Sequence, residues 1–178
     1  MRDAPSPQPG PAWIAMGANL GDPAQTFRAA LTTMAQWSPR PVRVSSLYRT
    51  PPVDCPPGSP PFLNAVAMLI PFPDETAESL LQKMLALERT LGRQPAPVRN
   101  APRPLDLDLI AFGHEQRRTE TLILPHPRAH LRRFVLEPLS ELAPDLILPG
   151  QSRTVMQLLE QLPPLPGMEK AGSLDWPP

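Results

Sequence analysis

The run Leu105-Asp106-Leu107-Asp108-Leu109-Ile110-Ala111-Phe112 alternates leucine with aspartate and then turns wholly apolar. A helix would scatter these leucines around its circumference, whereas a strand sorts them onto one face. The segment therefore commits the chain to a sheet that is packed on at least one side. Leu105, Leu107 and Leu109 point into a core. Asp106 and Asp108 share the opposite face, ~7 Å apart along the strand. Two carboxylates at that spacing repel, and burial raises the cost further. Water at an open edge would make the pair tolerable, and so would cations.

Elements of both kinds surround this strand. Residues 12–16 (AWIAM) read as a first strand. Asp22 is a suitable N-cap with Pro23 at the first helical position. Phe27, Ala30, Leu31 and Met34 then recur at helical spacing between Ala24 and Trp37. Residues 42–49 and 62–70 read as strands, being rich in β-branched and aromatic or apolar residues. From Thr76 to Leu91 the stripe Leu80, Met84, Leu87, Leu91 predicts a helix, with Gly92 as its C-terminal cap. A weaker strand follows at 121–125. A helix is expected near 128–142, with Pro138 interrupting it or marking an end, and a short helix from Thr154 to Leu162.

The order β-α-β-β-α-β, then β and α, implies an α+β fold. It is a ferredoxin-like βαββαβ sandwich, a mainly antiparallel sheet with helices packed on it, plus a C-terminal β/α extension. Prolines make up 29 of the 178 residues and concentrate at the two ends and in a few loops. Residues 1–11 are expected to be a disordered, proline-rich N-terminus, residues 12–162 a single domain, and residues 163–178 a flexible tail.

Several function classes are disfavoured. Acidic and basic residues balance to a formal net charge of zero, which argues against gripping nucleic acid by bulk charge. No run reaches the ~20 apolar residues of a membrane helix. The N-terminus lacks the apolar core of a secretory leader, so a soluble cytoplasmic protein is expected. The single cysteine, Cys55, cannot form an internal disulfide and has no histidine near it in sequence, which argues against a nucleophile. The three histidines lack zinc-ligand spacing. There is neither a P-loop nor a G-x-G-x-x-G, and Gly17-Ala18-Asn19-Leu20-Gly21 is too short to count as either.

The residues that carry chemistry gather around the aspartates. Asp106 and Asp108 suit hard cations such as Mg2+, which take oxygen ligands; a wet edge strand is the alternative. Arg93, Arg99 and Arg103 lie just upstream, and guanidinium forks beside carboxylate-held metal are the parts of a phosphate-transfer site. A solvated basic loop would also account for them. Glu88 sits beside the apolar stripe of its helix, either at a wet edge or recruited to a site. His126, fixed between two prolines, is followed by Arg132 and Phe134. The rigid Thr50-Pro51-Pro52 turn, with Phe62 and Asn64 on the next strand, suits the edge and face of a flat heteroaromatic ligand; a stiff loop beside a core strand is the plainer reading.

Together, and in this order, "YRTPPV", "FLNAV", Glu88…Gly92-Arg93, "PRPLDLDLI", "LPHPR" and "PLSELAPDLILP" closely resemble hydroxymethyldihydropterin pyrophosphokinases of folate biosynthesis. The resemblance spans Trp13 to Gly150. It implies the ferredoxin-like fold, a monomer, ATP as co-substrate and two Mg2+ ions. The reaction it implies moves the diphosphoryl group of ATP to the hydroxymethyl group of 6-hydroxymethyl-7,8-dihydropterin and releases AMP. Carried over, Asp106 and Asp108 hold the metals, and Arg93 and Arg103 contact the phosphates as catalytic residues. Glu88, Leu109, His126 and Arg132 match nucleotide-site positions. Thr50, Pro51, Val53 and Asn64 match readers of the pterin edge, and Phe62 and Phe134 match the rings that sandwich it.

The chain departs from the family at Ala18, where Gly17-Ala18-Asn19-Leu20-Gly21 stands for Gly-Ser-Asn-Leu-Gly, at Pro127, where some members carry an aromatic, and chiefly in one loop. Where relatives read Arg-Trp-Gly-Pro-Arg-Thr, it reads Arg99-Asn100-Ala101-Pro102-Arg103-Pro104, and Pro95 replaces a basic residue. These changes bear on loop closure and hence on turnover. The alternative they motivate is a catalytically weakened nucleotide- or pterin-binding homologue. A metal-dependent sugar transferase built on D-x-D would leave the Thr-Pro-Pro turn and Asn64 unexplained.

Overall fold

The computed structural model describes residues 10–95, 98 and 100–177. Arg99 and most of the expected N-terminal disordered segment lie outside the described residues. Within them the elements are β1 (Ala12–Ala18), α1 (Pro23–Met34), β2 (Arg43–Val44), β3 (Leu47–Thr50), β4 (Phe62–Leu69), α2 (Ala77–Thr90) and β5 (Asp106–Phe112). They continue as β6 (Arg117–Arg118), β7 (Ile123–Leu124), α3 (Arg133–Leu142), α4 (Val155–Gln161) and β8 (Glu169–Gly172).

The main sheet runs β5-β1-β4-β3-β8, with β2 also paired to β4, and every pairing is antiparallel. The central order β5-β1-β4-β3 is the ferredoxin-like arrangement that the element order predicts. Side-chain alternation then divides the sheet into two faces. Ile14, Met16, Ala65, Leu107 and Leu109 meet α1 and α2 on one side. Trp13, Val66, Ile110 and Ala111 meet α3 and α4 on the other. A register shift between Trp13 and Ile14 lets both Ile110 and Ala111 reach this second side.

Local signals fix the helix starts. The Asp22 carboxylate accepts the Gln25 N–H at 3.0 Å, and Pro23 opens α1. Thr76 and Ser79 form a reciprocal capping box on α2. The turn after α2 places Gly92 at φ +95°, which a side chain would resist. The expected helix at 128–142 is split: a 3-10 turn covers Ala129–Leu131, and α3 starts at Arg133. Pro138 neither interrupts nor ends it. Burial of Val135, Leu136 and Leu139 carries the helix through the missing N–H. The expected strand at 121–125 shrinks to β7, whose partner is β6 in a separate small ribbon; Pro125 has no N–H with which to extend it.

The chain end differs from the expected flexible tail. β8 pairs with β3, Leu174 is buried, and the Trp176 indole N–H donates to the Thr32 hydroxyl at 3.3 Å. All four β8 residues are exposed, so no apolar alternation marks the strand in the sequence. Glu141 of α3 fastens this edge. It accepts from Lys170 Nζ at 2.6 Å, from the Tyr48 hydroxyl at 2.7 Å and from the Ser46 N–H at 2.7 Å.

Burial alone would raise the Glu141 carboxyl, but the bonds from Lys170, Tyr48 and Ser46 outweigh it and hold the group at about 2. Burial, and after it the same carboxylate, pushes the Tyr48 phenol above its ordinary range. A depressed carboxyl stabilises the fold above its unfolded value, and that stability is lost as pH falls through the folded value. Wild type is therefore expected to lose on the order of 2–3 kcal/mol between about pH 4.5 and pH 2 through this one group. Glu141→Gln should be less stable at neutral pH and show a flatter acid limb in denaturant melts taken across that window. An unchanged acid limb would mean that Glu141 is not the group lost.

Candidate active site

Three strands converge on one row of the sheet. Asp106 of β5 lies opposite Gly17 of β1, which lies opposite Asn64 of β4. One row along, Asp108 lies opposite Ala15. Small residues thus separate the aspartates from Asn64. A Cβ at Gly17 would already stand 3.4 Å from Asn64 Oδ1 and 3.9 Å from Asp106 Cβ. The row faces the α3 side, where a cavity of about 370 Å3 opens between the sheet and the start of α3.

Asp106 is held at both oxygens. Arg93 Nη1 donates to Oδ1 at 2.7 Å and Arg103 Nη2 to Oδ2 at 2.7 Å. Arg93 Nη1 also donates to Glu88 Oε1 at 2.5 Å, and the same oxygen accepts the Leu107 N–H at 2.7 Å. Glu88 is only 2% exposed, and burial pushes its carboxyl up against the pull of Leu107 N–H and Arg93. Asp108 is freer, with Arg132 Nη1 at 3.7 Å from its Oδ2. Burial raises its carboxyl and Asp106 raises it further, while His126 and Arg132 oppose. Like-charge coupling across one strand face is what the alternation predicts.

The carboxylate pair fits Mg2+. This ion keeps one or two carboxylates and completes its shell with water and phosphate oxygens. Asp108 is open to the cavity, and Asp106 is bound by arginines that can turn to phosphate instead.

The other half of the cavity is a slot. The Asn64 amide donates to the Thr50 hydroxyl at 2.7 Å, and both side chains are buried beneath it. Pro51, Val53, Phe62 and Phe134 line it with Arg103 and Arg132. Each ring carries a guanidinium: Arg103 lies 5.8 Å from the Phe62 centroid and Arg132 5.6 Å from that of Phe134. The aromatic wall and the basic wall are therefore mechanically joined.

Not every expected residue reaches the cavity. The Leu109 side chain is 4% exposed and belongs to the core on the α1–α2 side, because strand alternation turns it away from Asp108. Glu88 lies behind the aspartates rather than on the wall. His126 lines a neighbouring shallow groove with Arg117 and His130. Burial lowers its imidazole against the pull of Asp108. Cys55 does line the cavity; its thiol donates to the Val53 carbonyl at 3.2 Å, and burial pushes it up, away from a reactive thiolate.

Two residues in the dismissed or altered motifs hold the site together. Asn19, from the Gly-Ala-Asn-Leu-Gly turn, donates to the Pro60 carbonyl at 3.1 Å, and its Oδ1 accepts the Arg103 N–H at 2.8 Å. Asn100, at φ +58°, donates to the Asp54 carbonyl at 2.8 Å and so ties the two loops that flank the cavity. The only sequence signal for Asn19 is its place in a turn that resembles Gly-Ser-Asn-Leu-Gly.

Residues 13–144 match the family model for 7,8-dihydro-6-hydroxymethylpterin-pyrophosphokinase. The chain belongs to that family. A Synechocystis sp. protein named 2-amino-4-hydroxy-6-hydroxymethyldihydropteridine pyrophosphokinase is 36% identical over 169 residues, covering 91% of this chain and 84% of its own length. The Bacillus subtilis protein of the same name is 40% identical over 136 residues, 74% of this chain and 77% of that one. Among solved structures, Plasmodium falciparum HPPK-DHPS with pteroate matches at a TM-score of 0.69 and 12% identity, over 86% of this chain. That likeness speaks to the fold alone, and the chain spans 42% of that protein's length. Among the described residues, no helix is long and apolar enough to cross a membrane.

Proposed function

We propose that this pyrophosphokinase transfers the diphosphoryl group of ATP to 6-hydroxymethyl-7,8-dihydropterin, as the names of its relatives indicate for them. The observation that carries the reading is the continuity of one cavity. The Asn64–Thr50 pair and the two phenylalanines open directly onto Asp106, Asp108, Arg103 and Arg132. A flat amide-bearing ring set in the slot presents its substituent to the acidic and basic wall.

In this mechanism Asn64 and Thr50, with Pro51 and Val53, orient the ring by its edge, and Phe62 and Phe134 flank its faces. The hydroxymethyl oxygen bonds to the β-phosphorus as the bridge to the α-phosphate breaks. AMP departs with the bridging oxygen, and the hydroxyl proton passes to solvent. Asp106 and Asp108 would hold two Mg2+ ions, which when bound neutralise the phosphate oxygens. Arg93 and Arg103 leave Asp106 for the phosphates and stabilise the charge that develops there. Arg132, and His126 from the adjoining groove, bind the nucleotide. No general base is required of the chain, because positioning and electrostatics supply most of the rate in phosphoryl-type transfers. The protein acts in the cytoplasm as a monomer, without nucleic acid.

The test is AMP release by the purified chain from ATP, Mg2+ and the reduced pterin. Release well above that of the Asp106→Ala, Asp108→Ala double variant is expected. Equal release from both proteins would overturn the reading. Tight pterin binding without turnover would instead restore the weakened-homologue alternative, which its curated relatives do not favour.

A further inference from the structure

The segment Leu162-Pro163-Pro164-Leu165 follows α4 and precedes β8, and it lines the same cavity as Phe134 and Thr50. Nothing in the sequence suggested that the chain end would return to the site. We infer that this strap is a specificity-determining wall of the pterin slot, with Leu165 as its contact residue and Arg133 as the positioning residue that holds it. The inference rests on the pterin reading of the cavity given above.

The strap is fastened at both ends to parts that grip the ring. At its start, Arg133 Nη1 donates to the Leu162 carbonyl at 2.9 Å and stands 3.5 Å from that of Leu159. Arg133 sits between Arg132 and Phe134, and Glu137 steadies its guanidinium at 3.1 Å. At its far end, Gly167 lies beside Pro51, where a Cβ would make ordinary van der Waals contact with the proline ring at 3.8 Å. β8 then pairs Glu169 with Arg49, next to Thr50. The strap therefore spans the slot from the stacking phenylalanine to the edge-reading turn and fixes their separation. Pro163 and Pro164 have preset φ angles, so little chain freedom is lost in forming the wall. Its apolar side chains offer no partner to phosphate. The strap also lines none of the groove that holds His126. Its contribution should fall on the pterin and not on ATP.

Leu165 is only partly buried, so truncating it spares the core. The experiment titrates wild type, Leu165→Ala, Leu165→Met and Arg133→Gln by calorimetry. Each receives first an α,β-methylene ATP analogue with Mg2+, then the reduced hydroxymethylpterin. Leu165→Ala and Arg133→Gln are expected to weaken pterin binding about tenfold with nucleotide affinity within about twofold of wild type, and Leu165→Met to restore it. Unchanged pterin affinity in Leu165→Ala, or parallel loss of both ligands, overturns the wall. A wild type that binds the nucleotide but no pterin overturns the reading of the cavity itself, and the wall with it.

Discussion

Asp106→Asn should lower the rate of AMP release by on the order of 10³-fold and raise the KM for ATP. The substitution is nearly isosteric, so its effect isolates charge and donor pattern. In the wild type each Asp106 oxygen accepts one guanidinium N–H, from Arg93 and from Arg103, both at 2.7 Å. An amide turns one of those acceptors into a donor, and one arginine then faces an N–H. Arg93 keeps Glu88 as a partner. Among the described residues Arg103 has no other ion pair, and its Nε already lacks a bonding partner. Arg103 should therefore swing away from Phe62. Loss of one hydrogen-bonded acceptor beside a charge costs about 1–3 kcal/mol of stability. The catalytic loss is larger, because the same carboxylate is assigned to the metal. Initial rates at saturating pterin, with a thermal melt on the same samples, separate the two effects. Activity within tenfold of wild type would remove Asp106 from the metal-binding role.

What the sequence disclosed and what it hid follow from the range of the forces involved. Alternation is a local code, and it correctly sorted Leu105, Leu107 and Leu109 from Asp106 and Asp108 before any partner strand was known. Capping is equally local, and Asp22 could be read from its neighbours. The bonds that assemble the site are not local. Arg103 N–H meets Asn19 across 84 residues, and Ser46 N–H meets Glu141 across 95. Polar side chains in loops carry no periodicity, so Asn19 could not be told from any turn asparagine. The strap was hidden for a related reason. Two prolines and an exposed four-residue strand look like disorder unless the edge of β3 and Glu141 are present to receive them. Leu109 is a different case: the resemblance matches it to a nucleotide-site position, while the pleat that revealed the aspartates turns its side chain into the core.

Glu88 is where the same logic yields the largest expected loss of stability. The sequence left it between a wet helix edge and recruitment to a site, and the structure recruits it, buried behind the aspartates and bonded to Arg93. Its Oε1 accepts the N–H of Leu107, the residue between the two aspartates, and also holds Arg93. One buried carboxylate therefore fixes the height of β5 against α2 and the resting place of an arginine assigned to the phosphates. Glu88→Ala leaves a buried N–H unsatisfied and takes from Arg93 one of its two acceptors, at a cost of about 3 kcal/mol. Glu88→Gln keeps a carbonyl oxygen for Leu107 and should cost only about 1 kcal/mol. Denaturant midpoints of the two variants should thus separate clearly, with the slope unchanged. Activity should follow a different order. If Glu88 acts by parking Arg93 through its charge, Glu88→Gln loses much of the rate of AMP release while remaining folded. If its role is only to hold the strand, Glu88→Gln turns over normally and only Glu88→Ala fails. The first outcome is expected. Arg93 spans two carboxylates, so weakening one leaves the guanidinium bound more tightly to Asp106, away from the phosphates it must reach.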